Sequence, residues 1–125
     1  MANKVIYKGT DAEVKITLAP DNNAFQIGDA TSVPELTAKF YISGTLYKSG
    51  AVIVEIDRDD TENKQCYPVD NDSNSLIFHV DTAGMANGTL CCTLEGKYVD
   101  TEHDDVLMDF VYSVACKAEI KDKAL

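Results

Sequence analysis

Apolar and polar side chains alternate residue by residue along most of this chain, a rhythm that suits extended backbone and not helix. The clearest stretch is Ala12-Glu13-Val14-Lys15-Ile16-Thr17-Leu18, in which Val14, Ile16 and Leu18 share one face and Glu13, Lys15 and Thr17 the other. Ala19-Pro20-Asp21-Asn22-Asn23 ends it with residues that fix φ or bond to their own backbone, and Phe25 and Ile27 are placed to anchor the loop that follows. From Leu36 to Ser43 the alternation returns with Leu36, Ala38, Phe40 and Ile42 inward. Ser43-Gly44-Thr45 then turns the chain into a hairpin through Leu46-Tyr47-Lys48 and on to a strand at 52–56.

Two polar stretches, Asp57 to Lys64 and Asp70 to Asn74, are expected as exposed loops, the second leading into a strand from Ser75 to Val80. Asp81 to Gly88 is the one place where a helical turn fits, with Asp81 or Thr82 as its cap and Asn87-Gly88 at its exit. A strand from Thr89 to Tyr98 and a last one from Val106 to Ile120 flank the acidic run Asp100 to Asp105. The last keeps Met108, Phe110, Tyr112, Val114, Cys116, Ala118 and Ile120 in one register and is long enough to require a bend or bulge. Six to eight strands with no intervening amphipathic helix predict an all-β fold, an antiparallel β-sandwich of about seven strands in a single domain over residues 1–125.

Composition narrows what such a domain does. Eleven Lys plus Arg against 21 Asp plus Glu give a net charge of −10, which repels phosphate backbones and anionic lipid, so neither nucleic acid nor membrane is an expected partner. The opening residues lack the apolar core of about 7–15 residues that a signal peptide needs, so assembly in the cytoplasm is expected. Cys66, Cys91, Cys92 and Cys116 form no CxxC and no ligand spacing with histidine; they are expected as small buried apolar residues, with at most one bridge.

Chemistry-bearing patterns are sparse. His79 and His103 are the only histidines, one on an outward strand face and one in an acidic loop, so no catalytic residue is assigned and an enzyme is not expected. Gly84-Met85-Ala86-Asn87-Gly88 matches neither dinucleotide nor P-loop spacing, and no cofactor is assigned. Asp70, Asp72 and Asn74, with Ile77 and Asp81 further on, imitate the spacing of a calcium loop. Ser75 replaces the necessary glycine, however, and Leu76 to Val80 alternates as strand, so a turn is expected there and no metal site is assigned. The carboxylates Asp57, Asp59, Asp60 and Glu62, and Asp100, Glu102, Asp104 and Asp105, are read as solvated loops. Tyr7, Tyr41, Tyr47 and Tyr98 are candidates for an interface, since tyrosine brings apolar area with a polar tip.

Three segments carry a family resemblance: Tyr7 to Leu18, Phe78 to Leu90 with its Asp81-Thr82-Ala83-Gly84 turn, and Tyr98 to Asp105 before the closing strand. In that order they resemble small structural proteins of gut-bacterial tailed phages, including crAss-like phages, similar in style to the N-terminal domain of phage baseplate upper proteins. Asp104-Asp105-Val106-Leu107 departs from the Gly-x-Arg that usually ends the acidic loop in that group. The resemblance implies an immunoglobulin-like sandwich built into the virion, as head fibre, capsid decoration, or tail or baseplate part. Its implied partners are other virion proteins and, as a homo-oligomer, copies of itself. Edge strands, the segment Ala2 to Tyr7 and the tail after Ile120 are the expected attachment points; a carbohydrate- or cell-surface-binding module on the particle is the alternative.

Overall fold

The structure is a computed structural model that describes residues 4–18, 25–45, 48–60, 62 and 64–122, with Asp11 described by its backbone alone. Eight strands occur among these residues: β1 (Lys4–Tyr7), β2 (Asp11–Thr17), β3 (Glu35–Ile42), β4 (Val54–Asp57), β5 (Cys66–Val69), β6 (Asp72–Asp81), β7 (Gly88–Asp100) and β8 (Val106–Lys121). They form a five-stranded sheet in the order β1-β8-β7-β3-β4 and a three-stranded sheet in the order β2-β6-β5. Every pairing is antiparallel except that of β1, which runs parallel to β8 with Lys4 opposite Ala118 and Tyr7 opposite Lys121.

The all-β expectation holds, and alternation places the core. Leu36, Ala38, Phe40 and Ile42 of β3 and Leu90, Cys92 and Leu94 of β7 point at Val14 and Ile16 of β2 and Leu76, Phe78 and Val80 of β6, all buried. A buried leucine, isoleucine or phenylalanine contributes about 1.5–3 kcal/mol, so these alternate positions dominate the free energy of closing the two sheets. Phe25 and Ile27 anchor the 25–34 loop in the same core, as expected, and Val33 is buried beside them. The Gly28 N–H of that loop donates to the Ser73 carbonyl at 2.8 Å, and its Ser32 carbonyl accepts from the Val99 N–H at 2.9 Å, so one loop bridges both sheets.

Four expectations change. The strand count is eight, because Lys4–Tyr7 and Cys66–Val69 are strands that alternation was too short to mark. Pro68 is tolerated in β5 because that strand lies at a sheet edge. The polar stretch 70–74 is not a loop throughout: Val69 pairs with Asp72 across the two residues Asp70 and Asn71, and Asn71 takes φ 63°. No helical turn forms at 81–88. The Asp81 carboxylate accepts from the Ala83 N–H at 2.9 Å, Gly84 takes φ 83°, and the chain turns directly into β7. Leu46 and Tyr47 lie outside the described residues, and the strand expected at 52–56 is β4 at Val54–Asp57.

The anticipated bulge in β8 is real. Cys91 pairs with Ala115 but Leu90 with Ala118, so Cys116 and Lys117 are additional, with Lys117 at φ 54°. Two extra residues preserve the inward and outward parity that one would reverse, which is why Val114 and Ala118 both still face the core side.

Candidate functional site

β8 is 16 residues long, yet β1 pairs with it only from Ala118 to Lys121. From Val106 to Lys117 its second edge has no partner strand among the described residues. Which backbone groups that edge presents follows from the bonds made elsewhere. The Val99 N–H and the Thr89 carbonyl of β7 both bond on the side away from β8, so odd residues of β7 face β3 and even ones face β8. Since Val99 lies opposite Leu107, the odd residues Leu107, Asp109, Val111, Ser113 and Ala115 aim their N–H and C=O outward. The Lys121 carbonyl, accepting from the Lys8 N–H at 3.0 Å on that same side, has the same parity.

This edge is apolar. Val106, Leu107, Met108, Val111 and Tyr112 are five of the ten large apolar side chains exposed on the described surface, and Val111 at 67% is the most exposed of all. Leu107 and Val111 stand on the outer face of the larger sheet, opposite Val99 and Glu95 of β7, whereas on the inner face the 25–34 loop covers the hairpin at Phe110 and Tyr112. Phe25 fills that role, with its ring 5.1 Å from Tyr98, 4.9 Å from Phe110 and 5.6 Å from Tyr112. Arg58 ties the same loop to the end of β4, its guanidinium donating to the Ile27 carbonyl at 2.9 Å and gripping the Asp59 carboxylate with Nε and Nη2. The aromatic cluster under the hairpin is therefore held from two directions.

Beside the edge, the outer face of the larger sheet carries a groove of about 620 Å³ lined by the carboxylates of Glu35, Asp57, Asp59, Glu95 and Asp109 with Lys97. No histidine or cysteine lines it, and no cluster of His, Cys, Asp or Glu among the described residues is arranged to hold a metal ion.

The residues singled out from the sequence are scattered. His79 lies on the outer face of the smaller sheet, 3.6 Å from the Glu13 carboxylate and with its ring tilted against that of Tyr67 at 4.9 Å, while His103 lies in the acidic loop 2.7 Å from Asp100. One sits on a strand of the smaller sheet and the other in the loop between β7 and β8. The Asp72 carboxylate accepts from the Asn74 N–H at 3.0 Å and the Ser75 hydroxyl at 2.7 Å, and these two bonds hold it below the usual carboxylate range. Asp57 and Asp60 likewise accept from backbone N–H groups two residues on, and Asp100 from that of Glu102. These are turn bonds.

All four cysteines are free thiols, Cys92 buried and the other three half-buried. Burial pushes the Cys66 thiol up to about 12 and raises Cys91, whereas Cys92 is raised first by its hydrogen bond with Cys116 and then by burial.

Among the tyrosines proposed for contact, Tyr7 is exposed, but Tyr41 bonds Thr93 at 2.8 Å and Tyr98 packs on Phe25; Tyr47 lies outside the described residues. The segment ahead of β2 is likewise occupied within its own chain, since Lys4–Tyr7 is β1. What the sequence reasoning missed is the β8 edge. Its signal is the pair of runs Val106-Leu107-Met108 and Phe110-Val111-Tyr112, apolar on both faces where strict alternation would place polar residues at 107 and 111. No known protein family, curated protein or solved structure matches the chain.

Proposed function

We propose that this protein is a non-enzymatic structural or adaptor subunit of a tailed-phage virion, acting through protein–protein contacts. The observation that carries the contact reading is the open β8 edge. Sandwich proteins ordinarily blunt such edges with charge, proline or a covering segment. Here a single carboxylate, Asp109, interrupts an edge that is otherwise apolar or small from Val106 to Cys116, and its backbone groups point into solvent. Such an edge is built to be paired.

The strand order supports reading the two sheets as an immunoglobulin-like sandwich, the form this assignment expects. β2-β6-β5 follow the order of strands B, E and D, and β3, β7 and β8 that of C, F and G, with β4 beside β3 as in variable-type domains. The three segments that resemble gut-phage structural proteins fall on β2, on the β6–β7 turn, and on the tip of the β7–β8 hairpin. Head fibre, capsid decoration, and tail or baseplate component are the places this reading allows.

Cross-linking mass spectrometry on purified particles tests it. Links from residues 100–112 to another particle subunit are expected, and absence of the chain from intact particles would remove the reading.

A further inference from the structure

The free edge of β8 has a midpoint and a polarity that suit one occupant. We propose that two copies of this chain join edge to edge through β8, antiparallel about a two-fold axis at Val111, fusing two five-stranded sheets into one continuous sheet. This rests on the reading that the chain works by protein contacts, and it names the partner as the chain itself.

An antiparallel pair made by a two-fold axis matches each residue with its mirror position in the other copy. Only the odd residues of this edge present free N–H and C=O groups, so allowed registers match odd with odd. An axis at Asp109 sets two carboxylates directly opposite, which is destabilising. One at Phe110 places Asp109 against Val111 of the other copy. An axis at Ser113 matches Lys117 with Asp109 but leaves Val106, Leu107 and Met108 uncovered.

The axis at Val111 has none of these defects. It lies at the middle of the open segment, between the hairpin tip ending at Asp105 and the start of β1 cover at Ala118. Asp109 then faces Ser113, Leu107 faces Ala115, Met108 faces Val114, and Phe110 faces Tyr112, extending the aromatic cluster across the junction. Charge settles the ends. Lys117, the only base between Val106 and Lys117, comes to the end of the pair that Asp105 of the second copy occupies, twice by symmetry, both residues taking positive φ at the limits of the regularly paired run. Neither residue has an ion-pair partner among the described residues of its own chain.

Sedimentation of the full chain over a micromolar concentration series is the test, with hydrogen exchange read residue by residue. A dimer is expected, in which the amides of Leu107, Asp109, Val111 and Ser113 gain protection with concentration; those of Met108, Phe110 and Tyr112, bonded to β7, are slow at every concentration. Val111→Lys, which sets two ammonium groups at the axis, weakens the dimer by about tenfold or more while leaving the monomer's unfolding temperature in place. Lys117→Glu and Asp105→Lys each weaken it and the double reversal restores it, a pattern that loss of folding does not produce. A monomer at the highest concentration, or a dimer indifferent to Val111→Lys, overturns the inference. If the chain is monomeric yet cross-links through 106–112 to another particle subunit, self-pairing falls and the assembly reading stands; if it does neither, both fall.

Discussion

The rings of Phe40 on β3 and Phe78 on β6 meet edge to face with centroids 5.3 Å apart and planes at 62°, and both side chains are fully buried. Each sits on a strand that has a neighbour on both sides, so neither sheet can shift without disturbing this contact. Phe78→Ala is expected to lower the unfolding free energy by about 3–5 kcal/mol, from lost transfer and the cavity left behind. Urea denaturation measures it, and a loss under about 1 kcal/mol would mean that the sheets close through other residues.

Gly96 is required for a different reason. A Cβ built there runs into the Glu35 carbonyl and main chain of β3, the strand beside it. Backbone cannot rotate away as a side chain does, so Gly96→Ala forces β3 and β7 apart at a cost of about 2 kcal/mol or more. Thermal unfolding of the variant checks this; an unchanged midpoint contradicts the close approach.

Acid should loosen the hairpin between β5 and β6. Asp72 is held below 3.8 chiefly by the Ser75 hydroxyl and then by the Asn74 N–H. Its folded value is lower than its unfolded one, so its contribution is complete above 3.8 and disappears as pH falls through the folded value. Asp72→Asn is therefore less stable than the parent chain at neutral pH, and the gap closes below pH 3.8. Parallel unfolding curves at neutral and acid pH report the difference; a gap that is constant with pH assigns the loss to packing.

The thiols give a chemical readout. Cys66 with its value near 12, and Cys92, raised by Cys116 and by burial, remain protonated at mildly alkaline pH. Because the thiolate is the reactive form, alkylation of both in the native protein at pH about 8 is slower than in denaturant by about tenfold or more. Peptide mapping after timed quenching follows each site. Rapid native labelling of Cys92 would require β7 and β8 to open.

Removing Arg58 tests what holds the 25–34 loop. Its side chain is only 6% exposed, and Arg58→Ala leaves the Ile27 carbonyl without its donor and Asp59 without its bidentate partner. A loss of about 1.5–3 kcal/mol is expected, accompanied by faster exchange of the Gly28 and Val33 amides. Exchange confined to other regions would argue that the loop is held by Phe25 and Ile27 alone.

Much of this fold is legible in the sequence wherever one face of a strand is buried and the other wet. The inward residues of β2, β3 and β6 follow directly from their alternation, as does the need for a bulge in β8. Lys4–Tyr7 and Cys66–Val69 escape because four residues give too little periodicity, and because Pro68 argues against a strand unless the sheet edge is known. The stretch Asp70 to Asn74 looks like loop by composition, yet Asp72 and Asn74 belong to β6, their polarity absorbed by local hydrogen bonds. The β8 edge was overlooked for another reason: Leu107 and Val111 break the alternation, but that no strand lies beside them follows from β1 pairing with β8 only from Ala118 onward, a tertiary fact.

The parallel pairing of β1 with β8 brings together segments separated by more than a hundred residues, Lys4 lying opposite Ala118. A contact of such long sequence separation is among the slowest to form. While the chain is being made, β1 has no place to dock until nearly the whole of β8 has emerged from the ribosome. The larger sheet therefore closes last at this seam, and a nascent chain that stalls before Ala118 leaves both strands without each other.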